Sequence, residues 1–260
     1  MNITLFTSDK LRHNYLINLL SNHCENLFVI QEFEEKNTNS NLISKNKSLI
    51  FQNYFKRVVS AEKSIFDEDS NIDIKKNIKI KKIKMGLINN YSIQLINDYL
   101  KSDIFIIYGS SFIKGELINF LIDKKAINIH MGVSPYYRGA ACNFWALYDN
   151  NPHLVGSTIH LLSKKLDGGN ILYHAMSNFK SDPFIYSMSA VKSAFKSVSY
   201  CLQNNLLFKF KPQVQNRLLE IRYSKKNQFD DAVINNYIKK NIKLKKFLFN
   251  DDLLINPFYF

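Results

Sequence analysis

Asn128 and His130 stand two residues apart at the end of a short apolar run, Ala126-Ile127-Asn128-Ile129-His130. In an extended strand side chains alternate between faces, so the amide and the imidazole project from the same side. Further along, Thr158-Ile159-His160-Leu161-Leu162 forms a second apolar run and leads into Leu166-Asp167-Gly168-Gly169. An amide can donate to a carbonyl oxygen, an imidazole can carry charge or move a proton beside it, and a carboxylate can orient the imidazole. That set is equipped for attack on a carbonyl carbon. The plainer alternative is a buried Asn and His that satisfy backbone groups at a strand end.

The surrounding pattern has to bring these strand ends together. Residues 3–7 read as a short buried strand, followed by helical spacing in Leu11, Tyr15, Leu16, Leu19 and Leu20. Residues 27–31 read as a second strand, 32–47 as a polar, Asn-rich loop, and 48–66 as a helix ended by Asp67-Glu68-Asp69. Over 72–85 isoleucine alternates with lysine, which predicts a partly exposed strand. A turn over 86–90 and a helix over 92–100 precede Asp103-Ile104-Phe105-Ile106-Ile107-Tyr108, a continuous run of the kind buried on both faces. Helices are expected over 112–121, 143–149 and 183–204. Strand–helix–strand order implies an α/β fold, a mostly parallel sheet with helices on both faces. Ligands collect at the carboxyl ends of such strands, where Gly109, His130 and the loop after Leu162 fall. Trp145 and Tyr148 are at helical spacing and read as core. Beyond Phe208 the pattern is basic and ambiguous, and no linker fixes a domain boundary.

The 260 residues, 46% hydrophobic and 13% aromatic, are enough for one sizeable core, or for one domain with an appendage. Cys24, Cys142 and Cys201 form neither a metal-ligand pattern nor a disulfide framework, which suits a reducing compartment, and no metal is expected. The start of the chain lacks the features of a secretory leader, and no apolar run approaches the ~20 residues of a membrane span. A cytoplasmic protein is therefore expected. The net charge of +13 comes mainly from dispersed lysines; Arg12, Arg57, Arg138, Arg217 and Arg222 are the arginines. Arginine is the preferred group for bidentate phosphate and base contacts, so compositional bias explains the charge better than a nucleic-acid surface does.

Residues 126–174 resemble the folate-dependent formyltransferases, the family of glycinamide ribonucleotide transformylase, methionyl-tRNA formyltransferase and the sugar-nucleotide N-formyltransferases. The resemblance is carried by Asn128-Ile129-His130, Pro135, Arg138-Gly139, Thr158-Ile159-His160 and Leu166-Asp167-Gly168-Gly169, in that order. A looser likeness covers residues 1–190. It implies a Rossmann-like three-layer fold over 1–204. The tail, 205–260, holds too many apolar side chains to leave in water and is too short for a core of its own, so it is expected as a short appendage docked on the catalytic domain or on a partner subunit. The resemblance implies 10-formyltetrahydrofolate as the donor. Asn128, His130 and Asp167 are then catalytic, with Thr158 and His160 behind them. The folate would pass Ser111, Phe112, Ile113 and Lys114 on one side and Leu162, Ser163, Lys164 and Leu166 on the other.

The acceptor is reached through departures from the family pattern. Glycinamide ribonucleotide transformylase binds phosphate on a Gly-rich turn after its first strand, whereas this sequence has Thr7-Ser8-Asp9-Lys10-Leu11-Arg12-His13. The stretch after Asn204 is shorter than the tRNA-gripping domain of methionyl-tRNA formyltransferase. An amino-sugar nucleotide, of the kind used for surface polysaccharide, is the expected acceptor, with Ser8, Lys10, Arg12 and Arg138 as candidate anion ligands. Arg138 would equally serve to anchor its own loop. A homodimer is expected. The competing readings are a methionyl-tRNA or glycinamide ribonucleotide formyltransferase and, from another class, a lysine-rich nucleic-acid-binding protein on the same scaffold.

Overall fold

The apolar runs pair into one twisted sheet in the computed structural model, which describes residues 1–34, 48–66 and 76–260. In chain order the main elements begin with β1 (Asn2–Thr7), α1 (Leu11–Ser21), β2 (Asn26–Phe33), α2 (Leu49–Phe66), β3 (Ile78–Lys84) and β4 (Ile104–Ile107). They continue with α3 (Gly115–Asp123), β5 (Ile127–His130), β6 (Tyr137–Gly139), α4 (Cys142–Tyr148), β7 (Gly156–Leu161) and β8 (Ile171–Met176). The last are α5 (Pro183–Gln203), β9 (Arg222–Ser224), α6 (Asp231–Lys239) and β10 (Phe258–Tyr259).

Eight strands lie in the order β10-β8-β7-β5-β4-β1-β2-β3, and β6 and β9 form a separate pair. All neighbours in the large sheet run parallel except β5 with β7 and β7 with β8. The chain winds outward from β1 to β3, then restarts on the other side of β1 with β4. That reversal opens a crevice at the carboxyl ends of β1 and β4. Strand alternation sends Ile3, Leu5 and Ile106 to one face, under Leu16 of α1, Tyr54 of α2 and Phe195 of α5. Phe6, Phe105 and Ile107 face the other way, under Leu117 and Leu121 of α3.

Local chemistry sets several boundaries. The Asp182 carboxylate accepts from the backbone N–H groups of Phe184 and Ile185, and Pro183 follows it, so α5 starts there. The expected helix over 92–100 is instead a 3₁₀ turn, Gln94–Tyr99. Of its side chains only Ile96 is fully buried, and one apolar anchor does not require two α-helical turns. The helix expected from residue 112 begins at Gly115, because Asn89 accepts from Lys114 N–H and donates to Phe112 O, holding that stretch extended. The expected loop over 35–47 and the acidic stop at 67–69 lie outside the described residues.

Residues 205–260 join the same core. Leu207, Ile234 and Tyr237 are buried in it, each contributing about 1.5–3 kcal/mol if fully withdrawn from water. β10 extends the sheet beside β8, and β9 pairs with β6. At the opposite edge β3 presents exposed lysines at 79, 82 and 84. Trp145 is core, with the Arg222 guanidinium 4.3 Å from its ring centre. Among the described residues no helix is long and apolar enough to cross a membrane, and no group of His, Cys, Asp and Glu could hold a metal.

Candidate active site

A cavity of about 520 Å³ opens at the carboxyl ends of β1, β4 and β5. In β5 Ile127 and Ile129 enter the core, and Asn128 and His130 emerge on the cavity side. Antiparallel pairing sets Asn128 opposite His160 of β7, and His130 opposite Thr158. The Asp167 loop closes the same end of the cavity. The three residues singled out in the sequence are therefore neighbours.

His130 Nδ1 is 3.3 Å from Asp167 Oδ1. Its Nε2 is 3.5 Å from both Tyr137 O and Cys142 Sγ. Burial opposes a charge on this ring, but the Asp167 carboxylate, with Cys142 on the far side, outweighs it and holds the pKa well above the ordinary imidazole value. Burial likewise opposes charge on Asp167, and His130 overcomes it, so the carboxyl titrates below its usual range. The pair is an imidazolium–carboxylate at neutral pH.

His160 is the opposite case. Its Nδ1 is 2.8 Å from Leu161 O, which only accepts, so Nδ1 carries the proton and Nε2 is an acceptor. Burial lowers its pKa to about 4. Asn128 Nδ2 donates to that Nε2 at 3.0 Å, which fixes the amide orientation. One N–H of Asn128 thus remains for the cavity.

Asp167 has a left-handed backbone (φ +47°). Arg138 donates to Leu166 O at 2.9 Å and Asp167 O at 3.3 Å, and its Nη1 meets Glu220 at 3.0 Å. Arg138 is buried and does not line the cavity; these contacts make it an anchor of the loop. Gly169 packs on Leu161 O so closely that any side chain would overlap it. Thr158 is also behind the site: it donates to Gly132 O at 2.6 Å and accepts from Ser134 N–H at 2.8 Å.

Ser111, Phe112, Ile113, Leu162, Ser163 and Leu166 line the cavity, whereas Lys114 and Lys164 do not. Lys114 Nζ lies 5.7 Å from the Phe112 ring centre, and Lys165 takes the lining place beside the loop. Buried Glu32 accepts from Gly86 N–H and Ser111 N–H, tying β2 to this wall. The N–H groups of Phe112 and Ile113 have no acceptor among the described residues.

Ser8, Lys10 and Arg12 line the other end. Arg12 is paired with Glu62 at 2.7 Å and donates to Tyr108 Oη at 3.1 Å, so Lys10 is the looser cation there. His13, which its sequence context does not single out, is 2% exposed and lines the same end. Ser8 N–H and Thr7 Oγ1 meet its Nδ1 at 3.2 and 2.7 Å, so Nε2 bears the proton. That Nε2–H has no partner among the described residues. Burial, then Arg12 and Lys10, hold the ring neutral by lowering its pKa well below the ordinary value. Gly109 (φ +66°) leaves the space this ring fills. Gln215, Glu220 and Lys226 also reach the site, from a stretch whose apolar spacing is too irregular to place it.

Residues 86–184 match the model of the formyl transferase family. Among solved structures the fold is shared with a sugar N-formyltransferase from a Shewanella species, at 15% identity over 88% of this chain and 78% of that one, TM-score 0.56. A 4-N formyltransferase from Francisella tularensis is similar at 19% identity over 88% and 77%, TM-score 0.52. Glycinamide ribonucleotide transformylase 1 from Symbiobacterium toebii is similar at 10% identity over 83% and 93%, TM-score 0.52. No curated protein matches the sequence.

Proposed function

We propose that this chain, a member of the formyl transferase family through residues 86–184, moves a formyl group from 10-formyltetrahydrofolate to the amine of an amino-sugar nucleotide. The observation that carries the reading is the convergence of Asn128, His130 and Asp167 on one open cavity, with the imidazole held as a cation.

The donor supplies an activated formyl carbon. The wall over 110–113 and the Leu162–Leu166 side suit a flat heterocycle, with apolar faces from Ile107, Ile113 and Leu162 and backbone N–H groups at Phe112 and Ile113 that have no acceptor among the described residues. As the amine nitrogen bonds to the formyl carbon, negative charge gathers on the formyl oxygen. Asn128 offers its remaining N–H to that oxygen, and His130 offers a fixed positive charge. Asp167 keeps the ring charged and aligned. The amine must lose a proton and the departing folate nitrogen must gain one. His130 is the group placed to pass it: the imidazolium gives a proton to the folate nitrogen and regains one from the amine, and the Asp167 carboxylate favours that charged form.

Lys10 and the His13 Nε2–H support an anionic, oxygen-rich acceptor at the far end, and Lys226 adds positive charge to the cavity. The turn after β1 lacks the glycines of a bare-amide phosphate loop, and two of the similar folds are named as sugar or 4-N formyltransferases. Both points favour the amino-sugar nucleotide over glycinamide ribonucleotide. Homodimerisation accompanies this reading and is tested by light scattering; nucleic acid is not required. The deciding assay incubates the chain with 10-formyltetrahydrofolate and a panel of amino-sugar nucleotides, and follows free tetrahydrofolate and the formylated product by mass spectrometry. Formylation of a sugar nucleotide in the panel by wild type but not by His130→Ala supports the proposal. Transfer to glycinamide ribonucleotide or methionyl-tRNA alone would replace it.

A further inference from the structure

We propose that Gln215 is a positioning residue for the reaction: its amide holds the Asp167 loop in the one conformation that puts the carboxylate on His130. The inference rests on the reading of His130 and Asp167 given above. Asp167 occupies the left-handed backbone region at φ +47°, which residues with side chains rarely adopt. Glycine would be at ease there, as Gly168 and Gly169 would, but glycine carries no carboxylate. Something outside the loop must therefore hold the conformation.

Two side chains do so. Gln215 Nε2 donates to Asp167 O and to Gly169 O, both at 2.8 Å, bracketing the turn. Arg138 holds Leu166 O and Asp167 O from the other side, and is itself held by Glu220. Gln215 and Glu220 both come from the stretch leading to β9, far from the loop in sequence. That stretch is pinned at its start, where Gln213 and Ile171 exchange backbone hydrogen bonds at 2.8 Å in both directions.

The amide's orientation is itself informative. Gln215 is 9% exposed, and its Oε1 is buried with no hydrogen-bond partner. Turning the amide over would set that oxygen against two carbonyl oxygens and lose both donated bonds. The side chain thus leaves an acceptor unpaired, a costly arrangement in a protein interior, in order to give both hydrogens to the loop. A residue that only filled space would not need a donor there.

The test uses the full chain and the substitutions Gln215→Met, which keeps length without donors, and Gln215→Glu, which keeps shape and presents acceptors. Histidine ring titrations are followed by NMR, with the His130 signal assigned by its loss in His130→Ala. In both variants the His130 titration should move down toward the ordinary imidazole range. The alkaline limb of kcat/KM should move with it, and kcat should fall about 10- to 100-fold while KM changes little, as expected for a misplaced catalytic group. A folded variant with unchanged His130 titration and unchanged pH profile would overturn the proposal. So would failure of both variants to fold, which would make Gln215 a folding residue. The ring titration needs no substrate. A downward shift in Gln215→Met, in a chain that transfers no formyl group, would keep this assignment and reject the reaction proposed above.

Discussion

The two ends of the cavity each present a buried histidine, and the two rings are set in opposite states. His130 faces Asp167 and is held as a cation. His13 has Arg12 and Lys10 around it and is held neutral, with one N–H directed by the backbone of Ser8. Burial alone would discharge both, so the neighbour decides. One end is built to meet charge that appears during a reaction. The other is built to give a hydrogen bond without adding charge, next to a lysine that already supplies it.

Removing the charged end should have the largest effect. His130→Ala or Asn128→Ala should lower kcat by ~100-fold or more, the scale of a lost oxyanion or acid–base group, in a single-turnover assay of formyl transfer. Donor binding, read by fluorescence quenching, should change little.

Asp167→Asn tests whether the carboxylate is what separates the two rings. Without it only Cys142 is left to oppose burial, and the His130 pKa should fall. In wild type the raised His130 pKa stabilises the fold fully below its unfolded value of ~6.5, and that contribution fades as pH rises through the folded value. Asp167 works in the other direction: its contribution is present above ~3.9 and is lost as pH falls through its depressed folded value. Denaturant midpoints measured across pH should show an alkaline decline in wild type that is absent in Asp167→Asn. An identical decline in both would mean another group causes it.

At the neutral end His13→Phe should raise the KM for the acceptor roughly 5- to 10-fold, the cost of about one hydrogen bond, with kcat nearly intact. Stability should respond with the opposite sign to that of His130. The lowered His13 pKa means that the unfolded chain takes up the proton first, so stability drops as pH falls below ~6.5, and the substitution should make that drop shallower, leaving the share that His160 and His174 contribute.

The smallest effect is expected at Lys10. Lys10→Met should weaken acceptor binding about 3-fold at low salt and less at ~0.15 M, where an exposed charge is screened. A large, salt-resistant loss would instead make Lys10 a direct, desolvated ligand.

The sequence showed the charged end and, of the neutral one, Ser8, Lys10 and Arg12 but not His13, for a physical reason. Asn128 and His130 alternate within a single strand, and Asp167 precedes two glycines, so their chemistry is local in sequence. Most of the sheet was legible for the same reason: runs such as 104–107 are apolar throughout, as a doubly covered strand must be. His13 lies in a polar stretch, and its importance comes from Gly109, on another strand, which leaves room for the ring. Gln215 and Glu220 lie where no periodicity runs long enough to read, and act through carbonyls of a distant loop. Arg138 was legible as a type but not as a role, because a guanidinium serves a ligand and a backbone carbonyl equally well.

The lysines along β3 bear on how copies of the chain meet one another. Among the described residues β3 has a strand on only one side, which makes it an edge of the sheet. Such an edge is where one molecule templates the next. Two copies approaching edge to edge would bring rows of ammonium groups together, and the chain's net charge of +13 adds to the repulsion. The barrier is electrostatic and therefore conditional. It reaches across about 10 Å at 0.1 M salt and shrinks to roughly 3 Å at 1 M, so concentrated salt, or acetylation of these amines, would weaken the barrier to pairing through this edge.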